Sequence, residues 1–564
     1  MLMKKCAAVA IAGLACVQSA YSQGRPLDWP SFANDARRSG WQRSDTRITK
    51  ENIKDFELIL KRKFPNQKMG ARTLTPPVII GLLISYRGFK ELGFVAGSSG
   101  GLWSIDVDLD RVFWEKQLPP AKAVTGSSPL CSDGLPASPT LTPPTTFGSR
   151  RPAGRPAITP PGTPVSPGQP PTPAGQTAAP PIASRLGGTG FGAPRPVYVI
   201  TSDGKLHQFN TSDGSDQYPA LEFLPANAKG SPLAMSENVI YTTTSGACGG
   251  APDGVWAIDL ALEAAPVAKF PFKGVNAAGM SGLAVGNDGT VYVQTGPAAA
   301  SAGSEYPNTL LALSSRDLKL QDHFSIAVTG DAATQKTSPH LNVTTPVVFE
   351  FNDRDLIVTA AGDGSLYLLD SRKVGGADHK TPLFKTPVLT SGSAAMRGIW
   401  GGLTTWEDAD GVRWVAAPVW GQVNPALKAP ITNGETPHGA IVAFKVEGQG
   451  DKVVLSPAWV SRDMESPQPA VTTSGVVFAV AAGGYTRNQA GLQPNRSTHA
   501  TFYALDGGTG KEMYSTGKQV TAPASLTGMT VANGRVFFTT TDNTLYGFGL
   551  FLETLEPKKT SARE

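Results

Sequence analysis

Four tryptophans, Trp400, Trp406, Trp414 and Trp420, crowd into residues 400–420, and Arg397 stands just ahead of them. An indole face beside a guanidinium suits a planar ligand, a sugar or a peptide, because the ring removes apolar area from water while polar edges orient the guest. Aromatic side chains also fill the space between stacked sheets. The cluster therefore reads either as interior packing or as a platform in which Trp400 and Trp420 reach a binding mouth beside Arg397. The cysteines are fewer and plainer. Cys6 and Cys16 fall in the first residues, leaving Cys131 and Cys248 as candidates for one disulfide in an oxidising compartment, with two separate buried thiols as the alternative. No C-x-x-C-H occurs, so no covalently attached haem is indicated.

Other chemical patterns dissolve on inspection. The run Asp106-Val107-Asp108-Leu109-Asp110 opens like a calcium loop, but Arg111 stands where glycine is needed and Gln117 where a bidentate glutamate is needed. Gly97-Ser98-Ser99-Gly100-Gly101 matches a nucleophile pattern that requires a strand running into a helix, whereas a second strand follows here. The histidines at 207, 323, 340, 379, 438 and 499 show no metal-ligand spacing. Gly187 to Gly192 is glycine-rich but has no helix behind it to hold a phosphate.

The elements that would position any site are announced by a repeated phrase. Leu102-Trp103-Ser104-Ile105-Asp106 returns as Leu206 to Asn210, Val255 to Asp259, Leu310 to Ser314, Leu366 to Asp370, Ile441 to Lys445, Phe502 to Asp506 and Leu545 to Gly549. Short strands repeating every several tens of residues, with glycine and aspartate at the turns, are the mark of a β-propeller. The expectation is an all-β, eight-bladed propeller of four-stranded antiparallel blades. Abundant glycine (62) and proline (47), with charged residues at 17%, suit many strands and turns rather than solvated helices. The last phrase leaves little chain for a closing outer strand, while residues 56–64 are a spare strand at the front, so this N-terminal strand is expected to close the ring. Residues 49–55 read as one helical turn capped by Thr49.

The ends and one insertion stand apart. Lys4 and Lys5, a short apolar stretch and Ala20-Tyr21-Ser22 read as an export signal over residues 1–22, followed by a single propeller over 23–564. The apolar stretch is too short to span a bilayer, Cys16 leaves lipidation open, and the mature chain is expected to be periplasmic or secreted and monomeric. Residues 139–196 hold sixteen prolines, five arginines and no acid, too little apolar mass to offset ordering, and read as a disordered insertion. The formal net charge of +5 is scattered rather than striped, which excludes a nucleic-acid reading.

The phrases resemble the repeat of the pyrroloquinoline-quinone (PQQ) propeller superfamily, whose members include quinoprotein alcohol dehydrogenases and outer-membrane-assembly propeller proteins. Asp28-Trp29-Pro30-Ser31-Phe32 with Asn34-Asp35 and Arg38 looks like the family's opening segment, and Thr509-Gly510-Lys511-Glu512 like its repeat turn. For a dehydrogenase the resemblance implies a calcium-held quinone and an aspartate base. The positions that would supply them depart from the pattern: Thr295-Gly296-Pro297 lacks the ligating asparagine, and Glu305-Tyr306-Pro307-Asn308 lacks the aspartate. Gly362 replaces a lysine, Ile399-Trp400 an Asn-Trp pair, and no vicinal cysteines exist. The reading is an exported binding or scaffolding module without bound quinone, its partner a protein or a glycan. The alternatives are a divergent PQQ- and calcium-dependent dehydrogenase using Glu305, or a carbohydrate-binding propeller centred on Trp400.

Overall fold

A computed structural model describes residues 27–85, 88–118, 131, 137–143, 195–298, 303–327, 341, 344–360, 362–392, 396–450, 452–488 and 491–551. The residues read as an export signal and most of the proline-rich stretch lie outside these described residues. Eight mainly antiparallel blade sheets follow one another along the chain, and a hairpin of Tyr485–Asn488 with Gly491–Pro494 forms a ninth, two-stranded sheet among the described residues. Blade 1 comprises Val78–Ser85, Gly88–Ala96, Gly101–Asp106 and Arg111–Gln117. Blade 2 runs from Thr140–Leu141 to Leu221–Glu222, blade 3 from Ala234–Ser236 to Val267–Pro271, and blade 4 from Leu283–Val285 to Leu320–Ser325. Blade 5 runs from Val347–Phe351 to Phe384–Lys385, blade 6 from Gly398–Ile399 to Lys452–Val460, and blade 7 from Val471–Thr473 to Glu512–Ser515. In blade 8, Ala524–Ala532, Arg535–Thr540 and Thr544–Gly549 are completed by Glu57–Lys63, which pairs antiparallel with Lys61 opposite Tyr546. The expected closure by an N-terminal strand is therefore present. First strands of adjacent sheets lie against one another around the axis.

Every repeated phrase falls on the third strand of its sheet. Its near-continuous apolar character has a direct cause: blades stack face to face, so both faces of the middle strands are buried. The strand Val476–Ala481 shows the division. Val476, Phe478 and Val480 enter the core shared with blade 8, and Val477, Ala479 and Ala481 enter the core shared with Trp406, Trp414 and Trp459 of blade 6. Each valine or phenylalanine among them contributes about 1.5–3 kcal/mol on burial, the alanines less.

Three details differ from the expectations. The helical turn is a 3-10 turn at Ile53–Asp55, and Thr49 accepts from the Asn52 backbone ahead of it rather than capping it. The proline-rich stretch begins and ends inside blade 2. Thr140–Leu141 pairs with the strand that starts at Pro196, and Leu141 is fully buried, so these residues are sheet and not insertion. Blade 6 has six strands, because Gly398–Ile399 and Thr404–Glu407 both pair with Arg413–Trp420 and Ile431–Thr432 adds a parallel edge, and Trp41–Gln42 adds a parallel fifth strand to blade 7.

Candidate functional site

The chain ahead of the ring occupies its axis. Residues 27–40 bond to every blade in turn. Leu27 donates to the Asn533 side chain of blade 8, and Trp29 exchanges backbone bonds with Ile79 of blade 1. Leu141 of blade 2, Val285 of blade 4, Val348 of blade 5, Thr405 of blade 6 and Thr472 of blade 7 donate to the carbonyls of Pro30, Ala36, Arg37, Ser39 and Gly40. Blade 3 is reached by Arg38, whose guanidinium donates to the carbonyls of Leu233, Pro232, Leu283 and Phe32. Complete burial lowers the Arg38 pKa to about 9, which leaves it charged at neutral pH, its charge met by carbonyl dipoles. Beneath this segment, among Phe32, Ser281, Thr345, Pro469 and Gly528, lies a cavity of about 20 Å³, room for one water.

The aromatic residues singled out from sequence are brought together. Trp400 and Trp420 stack with ring centroids 5.4 Å apart, Tyr485 leans on Trp420, and the Trp420 indole donates to the Pro467 carbonyl at 2.8 Å. Their exposures are 1% and 2%, so neither offers a free face to solvent. Trp406 and Trp414 form a second parallel stack inside the core between blades 6 and 7. Arg397 is half-buried, its backbone and Cβ pressed against Gly421, which has φ +78° and no room for a side chain. Glu305 stands apart on the surface, paired with Lys273 at 2.8 Å. Cys131 and Cys248 form a disulfide with Cα atoms 5.5 Å apart, joining the loop that leads into blade 2 to a loop of blade 3.

Two clusters escaped the sequence. His323 and His379 stack at 4.2 Å beside Asp322, although no spacing rule links residues from the edges of different blades. Burial, and then the neighbouring His379, holds His323 below the usual imidazole range. The second is a recess of about 230 Å³ between blades 5 and 6, on the mouth where the N-terminal segment enters. Arg37, Trp41 and Arg43 come from that segment, Glu350 from blade 5, and Glu407 and Arg413 from blade 6. Arg43 and Arg413 lie over the Trp41 ring at 4.9 and 5.3 Å. Arg413 donates one bond to Glu407 at 2.6 Å, while its buried Nε has no partner among the described residues. No motif signals this group, because its members are separated by hundreds of residues.

No protein-family model matches the chain, and no curated protein matches it. Its fold is nevertheless shared with solved structures. A quinohemoprotein alcohol dehydrogenase from Comamonas testosteroni is similar at TM-score 0.50 and 12% identity, over 93% of this chain and 80% of that one. A second, from Pseudomonas putida HK5, gives 0.52 and 11% over the same shares. A europium-containing methanol dehydrogenase gives 0.54 and 10%, over 93% of this chain and 98% of that one. At such identities the likeness is one of fold.

Proposed function

We propose that this chain uses the fold it shares with quinone-dependent dehydrogenases as an exported binding module, not as a dehydrogenase. The observation that carries the reading is the N-terminal segment bonded to all eight blades, with room for about one water beneath it. A pocket for a tricyclic quinone needs several hundred Å³.

The side chains at the opposite mouth do not fit a calcium-held quinone. The single Thr295 hydroxyl proton is shared between the carbonyls of Tyr306 and Thr309, and the oxygen accepts from the Thr309 N–H, so the side chain is committed to holding its own turn. Pro297 has no ligating side-chain atom, and Glu305 is engaged with Lys273 in solvent. A hard divalent cation requires six or more oxygens, and among the described residues these three positions offer it no free side-chain carboxylate or amide. The Cys131–Cys248 bridge supports export, since such bonds persist in oxidising compartments. An eight-bladed ring held by its own chain at the axis is a rigid support for loops, and the recess at Arg37 and Arg413 is its most chemically distinctive feature.

Titration of the mature protein with PQQ and calcium, followed by tryptophan fluorescence and melting temperature, tests the reading. The expected result is no saturable change at high micromolar quinone. One-to-one binding with a raised melting point would restore the dehydrogenase reading, because a ligand at about a hundred times its Kd stabilises by about 2.7 kcal/mol.

A further inference from the structure

We propose that the recess between blades 5 and 6 binds a monoanionic carboxylate carried on a small planar body. The inference rests on the binding-module reading and specifies its site. Three guanidinium groups, Arg37, Arg43 and Arg413, line one cavity of about 230 Å³. Two features point to a guest. Arg413 is nine-tenths buried, yet its Nε donor is unpartnered, and a buried donor left unpaired costs about 1–3 kcal/mol. Arg37 is half-buried, and its guanidinium has no hydrogen-bond or ion-pair partner among the described residues. Arg43 has only a long contact of 3.9 Å with Asp35.

The charges facing the recess select the guest. Glu407 engages one Arg413 nitrogen, and Glu350 also lines the recess, its carboxylate without a hydrogen bond or ion pair among the described residues. Three cations and two carboxylates leave the lining one positive charge in excess, which a monoanion neutralises, whereas a dianionic phosphate would leave the recess net negative at a larger desolvation cost. Burial, above all, holds Arg43 and Arg413 below the usual guanidinium range. Arg37 lowers both further, while Asp35 chiefly offsets this for Arg43 and Glu407 for Arg413. A planar guanidinium fork matches a carboxylate with two parallel hydrogen bonds. Trp41 and Phe349, both in the lining, supply flat apolar surface for the body behind it.

The test uses the mature protein, benzoate as probe, benzamide as its neutral counterpart and inorganic phosphate as the competing anion, at constant ionic strength. Binding is followed by calorimetry and by fluorescence, since Trp41 sits in the recess. Benzoate is expected to bind saturably with benzamide inert. Arg37→Gln, a residue whose side chain makes no bond in the fold, should weaken benzoate by about tenfold, a loss of about 1.4 kcal/mol. Glu350→Gln, which removes a repelling carboxylate, should tighten it. No benzoate binding at tens of millimolar, or equal affinity in Arg37→Gln, overturns the site; tighter phosphate than benzoate overturns the carboxylate assignment. Benzoate failure with no quinone binding removes the site and leaves the module reading, whereas quinone binding removes that reading itself.

Discussion

Glu91 is a carboxyl that the ring has taken almost entirely out of water. It is 4% exposed, its Oε2 accepts from Arg535 at 3.3 Å, and its Oε1 has no partner among the described residues. Arg535 is shared with Asp108 at 2.7 Å, so its charge is divided between two acids. Burial is the dominant influence and pushes the Glu91 pKa from 4.5 up to about 8, with Arg535 opposing and Asp108 assisting. A raised folded-state value means that the native form holds the proton more tightly than the unfolded chain does. The stabilisation is therefore complete below about 4.5 and is lost as pH rises through about 8. Thermal melts across that window should show stability falling with pH, and Glu91→Gln should flatten the fall while melting no lower than wild type at its alkaline end. An unchanged slope in the variant would assign the pH dependence to other groups. Trp420 carries a related lesson. Its type suggested a ligand platform, but its indole N–H is satisfied by Pro467 and its faces by Trp400 and Tyr485.

Among the elements, the strand Glu57–Lys63 does most for the architecture. It supplies the fourth strand of blade 8, and its flanks reach further: Phe56 stacks on Phe478 of blade 7, and Phe64 packs on Trp103 of blade 1. One short strand thus spans three consecutive blades and covers an edge that would otherwise invite pairing with another chain. The segment ahead of it is anchored as well, since Asp45 accepts from the Gly534 N–H and from the Ser474 hydroxyl. Deletion of residues 53–66 should abolish the single cooperative melting transition. A transition of wild-type sharpness and midpoint would mean that the ring closes by other contacts. A repeat array depends on such closure, because each blade is stabilised chiefly by its neighbours.

At the scale of the whole molecule, the Cys131–Cys248 bridge links loops 117 residues apart in sequence. Closing so long a loop in the unfolded chain reduces its entropy, and a bridge of this kind is typically worth about 2–4 kcal/mol. The double variant Cys131→Ser/Cys248→Ser should melt below the oxidised protein, with reduced wild type behaving like the variant. Coincident midpoints would show that the bridge adds nothing to a ring already closed by strand pairing. The repeated phrase, the turn residues and the spare leading strand were sufficient by themselves to specify eight four-stranded blades and how they close. Alternation and turn chemistry are local rules, and each blade obeys them independently. The departures from a quinone site were equally readable, since a proline at position 297 is a proline in any fold. Only the tertiary structure decided that residues 27–40 fill the axis, that Trp400 and Trp420 are interior, and that His323 meets His379. It alone assembled Arg37, Arg43 and Arg413 around one recess. Those facts depend on how the circle brings distant residues face to face, and sequence spacing contains no measure of distance across a ring.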